Sequence, residues 1–299
     1  MQAIGLIGDY RHDTCHAPQV ARLLRHENFE VVEIPKSLPF SVPANRQLVA
    51  ERFRRSDVLY SIGRNTHGGD YRLLGAAMKK QYVNHWIGSD VLALASSDKR
   101  QLVEGVSRHL ACAPWIAGEL KAHGIDAELV PIISFDHEIT METPPAQHCV
   151  LTYLPTGKEE FYGLQGVLAA AKAFPDLVFH VTGNDGNAGE AIANMRYRGW
   201  LSAQEMAELY SQCSILLRTP DHDGLSMMVI EAMGKGKEVI YSYDYPHCRV
   251  ARCGVQIVEV LKEIVAERPR ANRQAHDYVT ARFSKAIVGT TLRLVFERI

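Results

Sequence analysis

The sequence predicts an α/β protein made of two parallel-sheet units. Three observations lead there. Short apolar runs alternate with helical patterns along most of the chain. Those runs are apolar throughout, as in strands of a parallel sheet buried on both faces. The rhythm lapses once, over 134–148, "SFDHEITMETPPAQH", where Pro144 and Pro145 stand and apolar periodicity fades, as in a linker.

Each element follows from its local pattern. In the first half, strands are expected at "AIGLIG", "FEVVEIP", "DVLYSIG", "YVNHWIG", "HLACAP" and "AELVPII". Helices are expected between them at "APQVARLLRHE", "RQLVAERFRR", "YRLLGAAMKKQ", "SSDKRQLVEGVSRH" and "WIAGELKAHG", the last stopping at Gly124. After the linker, strands are expected at "CVLTYLP", "LVFHVTG", "MRYRGWL", "SILLRTP" and "KEVIYS". The helices there are "YGLQGVLAAAKAF", a short one near "NAGEAIAN", "SAQEMAELYSQC" and the apolar segment 227–233. "NRQAHDYVTARFSKAIVGTTLRLVFERI" reads as one long helical pattern at the end. Each half can hold a Rossmann-like sheet.

Composition sets bounds. With 299 residues, 46% of them hydrophobic, the chain can bury a large core in two domains. A formal net charge of -1 argues against a general nucleic-acid binder. No apolar run reaches the roughly 18–20 residues of a membrane span. "MQAIGLIGDYRHD" has no basic region followed by a long apolar stretch, so no secretory signal is expected. The six cysteines are scattered, and the closest pair, Cys248 and Cys253, lacks C-x-x-C spacing. Reduced thiols in a cytoplasmic protein are the expectation.

Ligands of open α/β sheets bind beyond the carboxyl ends of the strands. The loop after "SILLRTP" is the most informative one. Asp221-His222-Asp223-Gly224 precedes an apolar helix with Ser226 as N-cap and Gly234 or Gly236 as stop. The helix is apolar on all sides, and so expected to be buried, yet carries Glu231. At about 1.5 Å per residue, that carboxylate stands about 5–8 Å from the helix start. Two acceptor groups, Asp223 and Glu231, thus flank a helix end suited to anions. A nucleotide sugar has this layout: ribose hydroxyls, a diphosphate, then sugar hydroxyls. The alternative is structural: Asp223 caps a turn and Glu231 is a paired core carboxylate.

"DGLSMMVIEAMGKGKEVI" resembles the signature of retaining glycosyltransferases of family 4, which have the GT-B fold: an acid, seven residues, then Glu-Ala-Met. The acid is Asp223, where glutamate is commoner, and the triplet is Glu231-Ala232-Met233. Glu238 stands where that family usually has proline. The resemblance extends over most of 150–245. It implies two Rossmann-like parallel-sheet domains facing a central cleft: 1–135 on the acceptor side, a linker at 136–148, and 149–275 binding the nucleotide sugar. The segment 276–299 is expected to pack back on the first domain.

The resemblance also implies residue roles. Glu231 accepts from the donor ribose and Asp223 contacts the transferred sugar. The N–H groups of Gly224, Leu225 and Ser226 approach the diphosphate or sugar. In "LTYLPTGKEEFYG", Lys158 matches the lysine that neutralises the departing diphosphate, whereas Tyr153 stands at the arginine position. Arg218, Arg11 or Arg64 can supply the missing charge. Gly183, in the glycine-rich "VTGNDGNAG", lies near the donor, and Gly199-Trp200 marks the nucleobase site; a core aromatic is the other reading of Trp200. His85 lies two residues before the place of the family's histidine, which is Ile87 here. It is either a catalytic group or a satisfied core histidine.

Arg11 and His12 in the first post-strand loop, Arg64 and His67 in the loop "SIGRNTHGGD", and Ser89 and Asp90 are the acceptor or cleft candidates. The arginines of "NRQLVAERFRRSD" either meet acidic lipid head groups or form a solvated face. The expected activity is glycosyl transfer from a nucleotide-diphosphate donor to a saccharide or lipid-linked acceptor, such as one used for cell-envelope polysaccharide. Retention, no cofactor and no obligatory metal are expected, in the cytoplasm or peripherally at the inner membrane face. Two alternatives remain: a catalytically weak sugar-nucleotide-binding pseudoenzyme, and a nicotinamide-dependent oxidoreductase, the latter on glycine loops that lack G-x-G-x-x-G spacing.

Overall fold

The structure is a computed structural model that describes residues 1–11, 15–36, 38–39, 41–63, 71–96, 103–135, 139–186 and 192–299. The chain divides into two compact units, Met1–His137 with Phe283–Ile299, and Glu138–Arg282.

The first unit holds β1 (Ala3–Gly8), α1 (His16–His26), β2 (Glu30–Pro35), α2 (Pro43–Arg55), β3 (Val58–Ile62), α3 (Tyr71–Ala77), β4 (Gln81–Trp86), α4 (Ala93–Ser96), β5 (Arg108–Ala111), α5 (Pro114–Ala122) and β6 (Glu128–Leu129). The sheet order is β2-β1-β3-β4-β5-β6, and every pairing is parallel. All residues of β1 and β3 are buried, which is why those runs show no alternation. Ile7, Val32, Phe53, Leu59, Tyr71 and Tyr82 share one core cluster with α2 and α3. Pro43 opens α2, where its missing N–H costs nothing, so this helix starts three residues ahead of the expected run.

The second unit holds β7 (Cys149–Tyr153), α6 (Leu164–Ala173), β8 (Val178–Thr182), β9 (Met195–Tyr197), α7 (Ala203–Gln212), β10 (Ile215–Arg218), α8 (Met227–Gly234), β11 (Glu238–Tyr241), β12 (Arg249–Val250), α9 (Gly254–Val265) and α10 (Arg273–Thr280). Its order is β12-β11-β10-β7-β8-β9, again all parallel. Val150, Phe179, Val181, Leu217 and Ile240 face α6 and α9 in one core. Full burial of each such side chain is worth roughly 1.5–3 kcal/mol. A capping box starts α7: Ser202 Oγ accepts from Glu205 N at 3.3 Å, and Glu205 accepts from Ser202 N at 2.7 Å.

Two expectations are corrected. Of "AELVPII" only Glu128–Leu129 pairs as a strand; Pro131 has no N–H to continue an edge ladder. The terminal pattern is two helices, α10 and α11 (Lys285–Phe296), not one. Ser284 breaks it by capping α11, its Oγ accepting from Ile287 N at 3.4 Å. Phe296 of α11 packs edge-on against Tyr60 and Phe29 in the first unit, and Arg293 pairs with Glu27 at 3.1 Å. The stretch 254–265 forms α9, burying Ile257, Leu261 and Ile264.

Residues 97–102, which carry much of the helix expected at "SSDKRQLVEGVSRH", and 187–191, which carry most of the short helix, lie outside the described residues. Among the described residues, no helix is long and apolar enough to cross a membrane.

Candidate functional site

The carboxyl ends of the second sheet gather most of the expected residues. The loops after β7, β8 and β9 are laced by backbone bonds: Thr156 N to Gly183 O at 3.0 Å, Gly183 N to Gly199 O at 2.8 Å and Gly199 N to Asn184 O at 2.8 Å. Asp221 N donates to Phe161 O at 2.8 Å and ties in the loop after β10. Two glycines permit this closeness. Gly183 has φ +79°, and a Cβ there would lie 2.7 Å from the Tyr153 ring. Gly163 has φ +88°, and a Cβ would lie 2.5 Å from Thr219 O.

Asp223 is held from three sides. Arg218 Nε donates to its Oδ2 at 2.7 Å, Tyr241 Oη to the same oxygen at 3.4 Å, and Asp223 N donates to Tyr243 Oη at 3.0 Å. Tyr241 also donates to Gly224 O at 2.9 Å. Arg218 is only 8% exposed. Burial works against its charge, but the Asp223 carboxylate outweighs that and leaves the guanidinium pKa above its ordinary value. Its carbon lies 5.6 Å from the centre of the Tyr153 ring and 5.2 Å from that of Tyr162, within cation–π range. Leu217 faces Thr152 in the parallel register, so Arg218 and Tyr153 follow side by side.

Ser226 is the N-cap of α8, with extended backbone and no side-chain cap bond. Leu225 and Ser226 are buried. The helix is buried at Val229, Ile230, Ala232, Met233 and Gly234, but Met227, Met228 and Glu231 share a half-buried face. This differs from the expectation of burial on all sides. Glu231 Oε2 accepts from Tyr210 Oη at 3.0 Å. Burial raises the Glu231 pKa, while Tyr210 and the Lys235 charge act against the rise. Among the described residues, Oε1 has no hydrogen-bond partner. Lys235 and Lys237 at the end of α8 both pair with Glu142, Lys237 at 2.8 Å.

Lys158 is exposed in the loop after β7. Trp200 is 75% exposed and meets Tyr153 edge-on at 6.1 Å between ring centres, so the core-aromatic reading of Trp200 fails.

The first-unit candidates are dispersed. Arg11 is an exposed side chain paired with Asp9 at 2.5 Å, which draws the Asp9 pKa down to about 2. His85 is fully buried: Tyr60 Oη lies 2.7 Å from Nδ1 and Val130 O 3.0 Å from Nε2. Burial lowers its pKa to about 3, so the ring is neutral. Ser89 is exposed. Asp90 clamps its own loop, with Oδ1 accepting from Gly88 N at 2.8 Å and Ile87 N at 3.1 Å. Burial raises its pKa to about 6. His12, Arg64 and His67 lie outside the described residues. On α2, Arg52 donates to Glu33 O and Arg55 pairs with Glu30 at 3.5 Å, so both reach back to the sheet edge.

Sequence reasoning left Tyr210, Tyr241, Tyr243 and Glu142 out of the site. Nothing in their local patterns sets them apart, because their partners are 18 to 93 residues away. Arg218 did carry a signal: a charge ending the apolar run "SILLRTP".

Residues 164–283 match a family model described as "Glycosyl transferase-like". No curated protein sequence is significantly similar to the chain. Among solved structures, sucrose-phosphate synthase from Thermosynechococcus elongatus superposes with a TM-score of 0.75 at 12% identity, covering 100% of this chain and 99% of that one. HepE of Anabaena, solved with UDP and glucose, gives a TM-score of 0.70 at 11% identity, covering 100% of each. The lipopolysaccharide outer core galactosyltransferase WaaB, in its apo form, gives 0.70 at 13% identity, also covering 100% of each. The chain has the GT-B glycosyltransferase fold.

Proposed function

We propose that the chain transfers a glycosyl group from a nucleotide-diphosphate sugar to a saccharide or lipid-linked acceptor, with retention of configuration. The observation that carries this reading is the pairing of Arg218 with Asp223 at 2.7 Å beside the start of α8. One cation, one carboxylate and a helix N-terminus then meet where a sugar diphosphate has a leaving anion next to hydroxyl groups.

Each group has a task in this reading. Negative charge grows on the diphosphate as the glycosidic bond breaks. Arg218, Lys158 and the amino end of α8 stabilise it; such preorganised charge is commonly worth about 3–4 kcal/mol per donor. Glu231 Oε1 accepts from ribose, and Asp223 contacts the transferred sugar. Gly224, Leu225 and Ser226 offer N–H groups, Gly183 lets its loop approach the donor, and Gly199 and Trp200 flank the base. Positive charge comes from side chains, so no metal is required. HepE was solved with UDP and glucose, which makes UDP the first nucleotide to try. First-unit loop groups such as Arg11 and Ser89 are assigned to the acceptor, in a cytoplasmic reaction that extends to lipid-linked acceptors at the membrane face.

The experiment is a donor panel of UDP-, GDP- and ADP-sugars with mixed saccharide and lipid-linked acceptors, read by mass spectrometry. Release of one nucleoside diphosphate with a mass-shifted acceptor is expected. Binding of a donor without transfer to any acceptor contradicts the activity, and no binding of any donor contradicts the site.

A further inference from the structure

Cys149 opens β7, and Cys213 follows α7 just before β10. The two strands are neighbours: Val150 faces Ile215, and Ser214 N donates to Cys149 O at 3.1 Å. This pairing brings the two sulfurs to 3.5 Å, where a disulfide needs about 2.05 Å. The pair lies at the amino edge of the sheet, at the opposite end from the loops of the candidate site.

A third side chain completes the cluster. His180 of β8 has a ring nitrogen within 4.8 Å of both sulfurs. Arg198 Nε donates to His180 Nδ1 at 2.9 Å. A guanidinium has no lone pair to accept with, so Nδ1 is the bare nitrogen and the neutral ring carries its proton on Nε2. Cys149 is 9% exposed, His180 6% and Cys213 1%.

A buried thiol in apolar surroundings keeps its proton. Cys149 departs from that rule. The hydrogen bond with Cys213 draws its pKa down, burial opposes this, and His180 adds to the fall. Cys213 moves upward, chiefly through the same hydrogen bond. The pair is thus drawn in opposite directions, Cys149 toward the thiolate and Cys213 toward the thiol.

We propose that Cys149 and Cys213 form a reversible dithiol–disulfide couple, with Cys149 as the attacking sulfur and hydrogen peroxide as the oxidant. The Cys149 thiolate attacks one peroxide oxygen. An S–O bond forms, the O–O bond breaks, hydroxide leaves and Cys149 becomes a sulfenic acid. The Cys213 sulfur then attacks Cys149, the S–S bond forms, and the S–O bond breaks. The departing hydroxyl takes the Cys213 proton as water. A metal site is the other chemistry two cysteines and a histidine offer. With Arg198 on Nδ1 and the proton on Nε2, the ring has no lone pair left for a metal.

The test uses the full folded chain, reduced, exposed to hydrogen peroxide, then alkylated in denaturant and mapped by mass spectrometry. The expected result is a linked peptide pair containing Cys149 and Cys213, reversed by dithiothreitol. Cys213→Ser is expected to stop at a dimedone-reactive Cys149, and His180→Asn to slow the reaction about tenfold by weakening the thiolate. Full alkylation of both cysteines while the exposed Cys253 oxidises would overturn the proposal. An unchanged rate in His180→Asn would overturn the role of Cys149 as attacking thiolate. Protection of both sulfurs by one equivalent of zinc would overturn it in favour of a metal site.

Discussion

Arg218 and Tyr153 stand side by side at the ends of two neighbouring parallel strands, the guanidinium carbon 5.6 Å from the ring centre. The resemblance expects an arginine where Tyr153 is. The proposed reading gives that arginine's task to Arg218, one strand across, whose guanidinium lies over the Tyr153 ring. Asp223, at 2.7 Å, fixes its direction.

This relationship predicts a transposable charge. Arg218→Leu is expected to lower kcat by about 10²–10³, the range for losing one preorganised donor to a developing anion. Adding Tyr153→Arg to that variant is expected to recover part of the loss. Steady-state kinetics of the single and double variants, with melting curves to separate misfolding, check this. Equal rates for wild type and Arg218→Leu would remove Arg218 from the chemistry.

Tyr210→Phe removes the hydroxyl that donates to Glu231 at 3.0 Å. The expected loss of stability is about 0.5–1.5 kcal/mol, read from urea midpoints. The Glu231 pKa, already raised by burial, is expected to rise further. The cost of its ionised form is present above the folded pKa and relieved as pH falls through it. Donor affinity in Tyr210→Phe should therefore begin to weaken at a higher pH than in wild type as acid is added.

Asp90 gives a pH prediction of its own. Its pKa is raised from 3.8 to about 6, so the folded chain binds the extra proton in that window. Stability is expected to fall as pH rises through it, with the full cost above about 6. Asp9 has the opposite sign and a lower window, from about 2 to 3.8. Urea unfolding between pH 4 and pH 7 should show the slope in wild type and a reduced slope in Asp90→Asn.

Gly183→Ala puts a Cβ 2.7 Å from the Tyr153 ring at φ +79°. The expected cost is about 1–3 kcal/mol, together with a loosened loop lacing and weaker donor binding. A melting temperature unchanged from wild type would show that the loop gives way freely.

Much of this fold was legible because parallel strands buried on both faces leave plain apolar runs, as at Ala3–Gly8 and Ile215–Arg218. The α8 segment was legible too, since one carboxylate in an apolar helix needs a partner. Which partner it has was not legible. Tyr210 reaches Glu231 from another helix, and Tyr241 reaches Asp223 from another strand. Such contacts depend on strand order, which local patterns do not encode. His85 shows the limit from the other side. A histidine at a strand end fits catalysis or a core, and only its bonds to Tyr60 and Val130 reveal a ring fully engaged by the protein.

Calorimetric titration of wild type and Glu231→Gln with UDP and UDP-sugars separates a carboxylate that holds ribose from one that only packs. Saturable binding to wild type and a loss of about 1–3 kcal/mol in the variant are expected, the range for a charge-assisted hydrogen bond to ribose. Equal affinity in the two proteins, with a lowered melting temperature in Glu231→Gln, would make Glu231 a structural carboxylate and contradict the ribose contact.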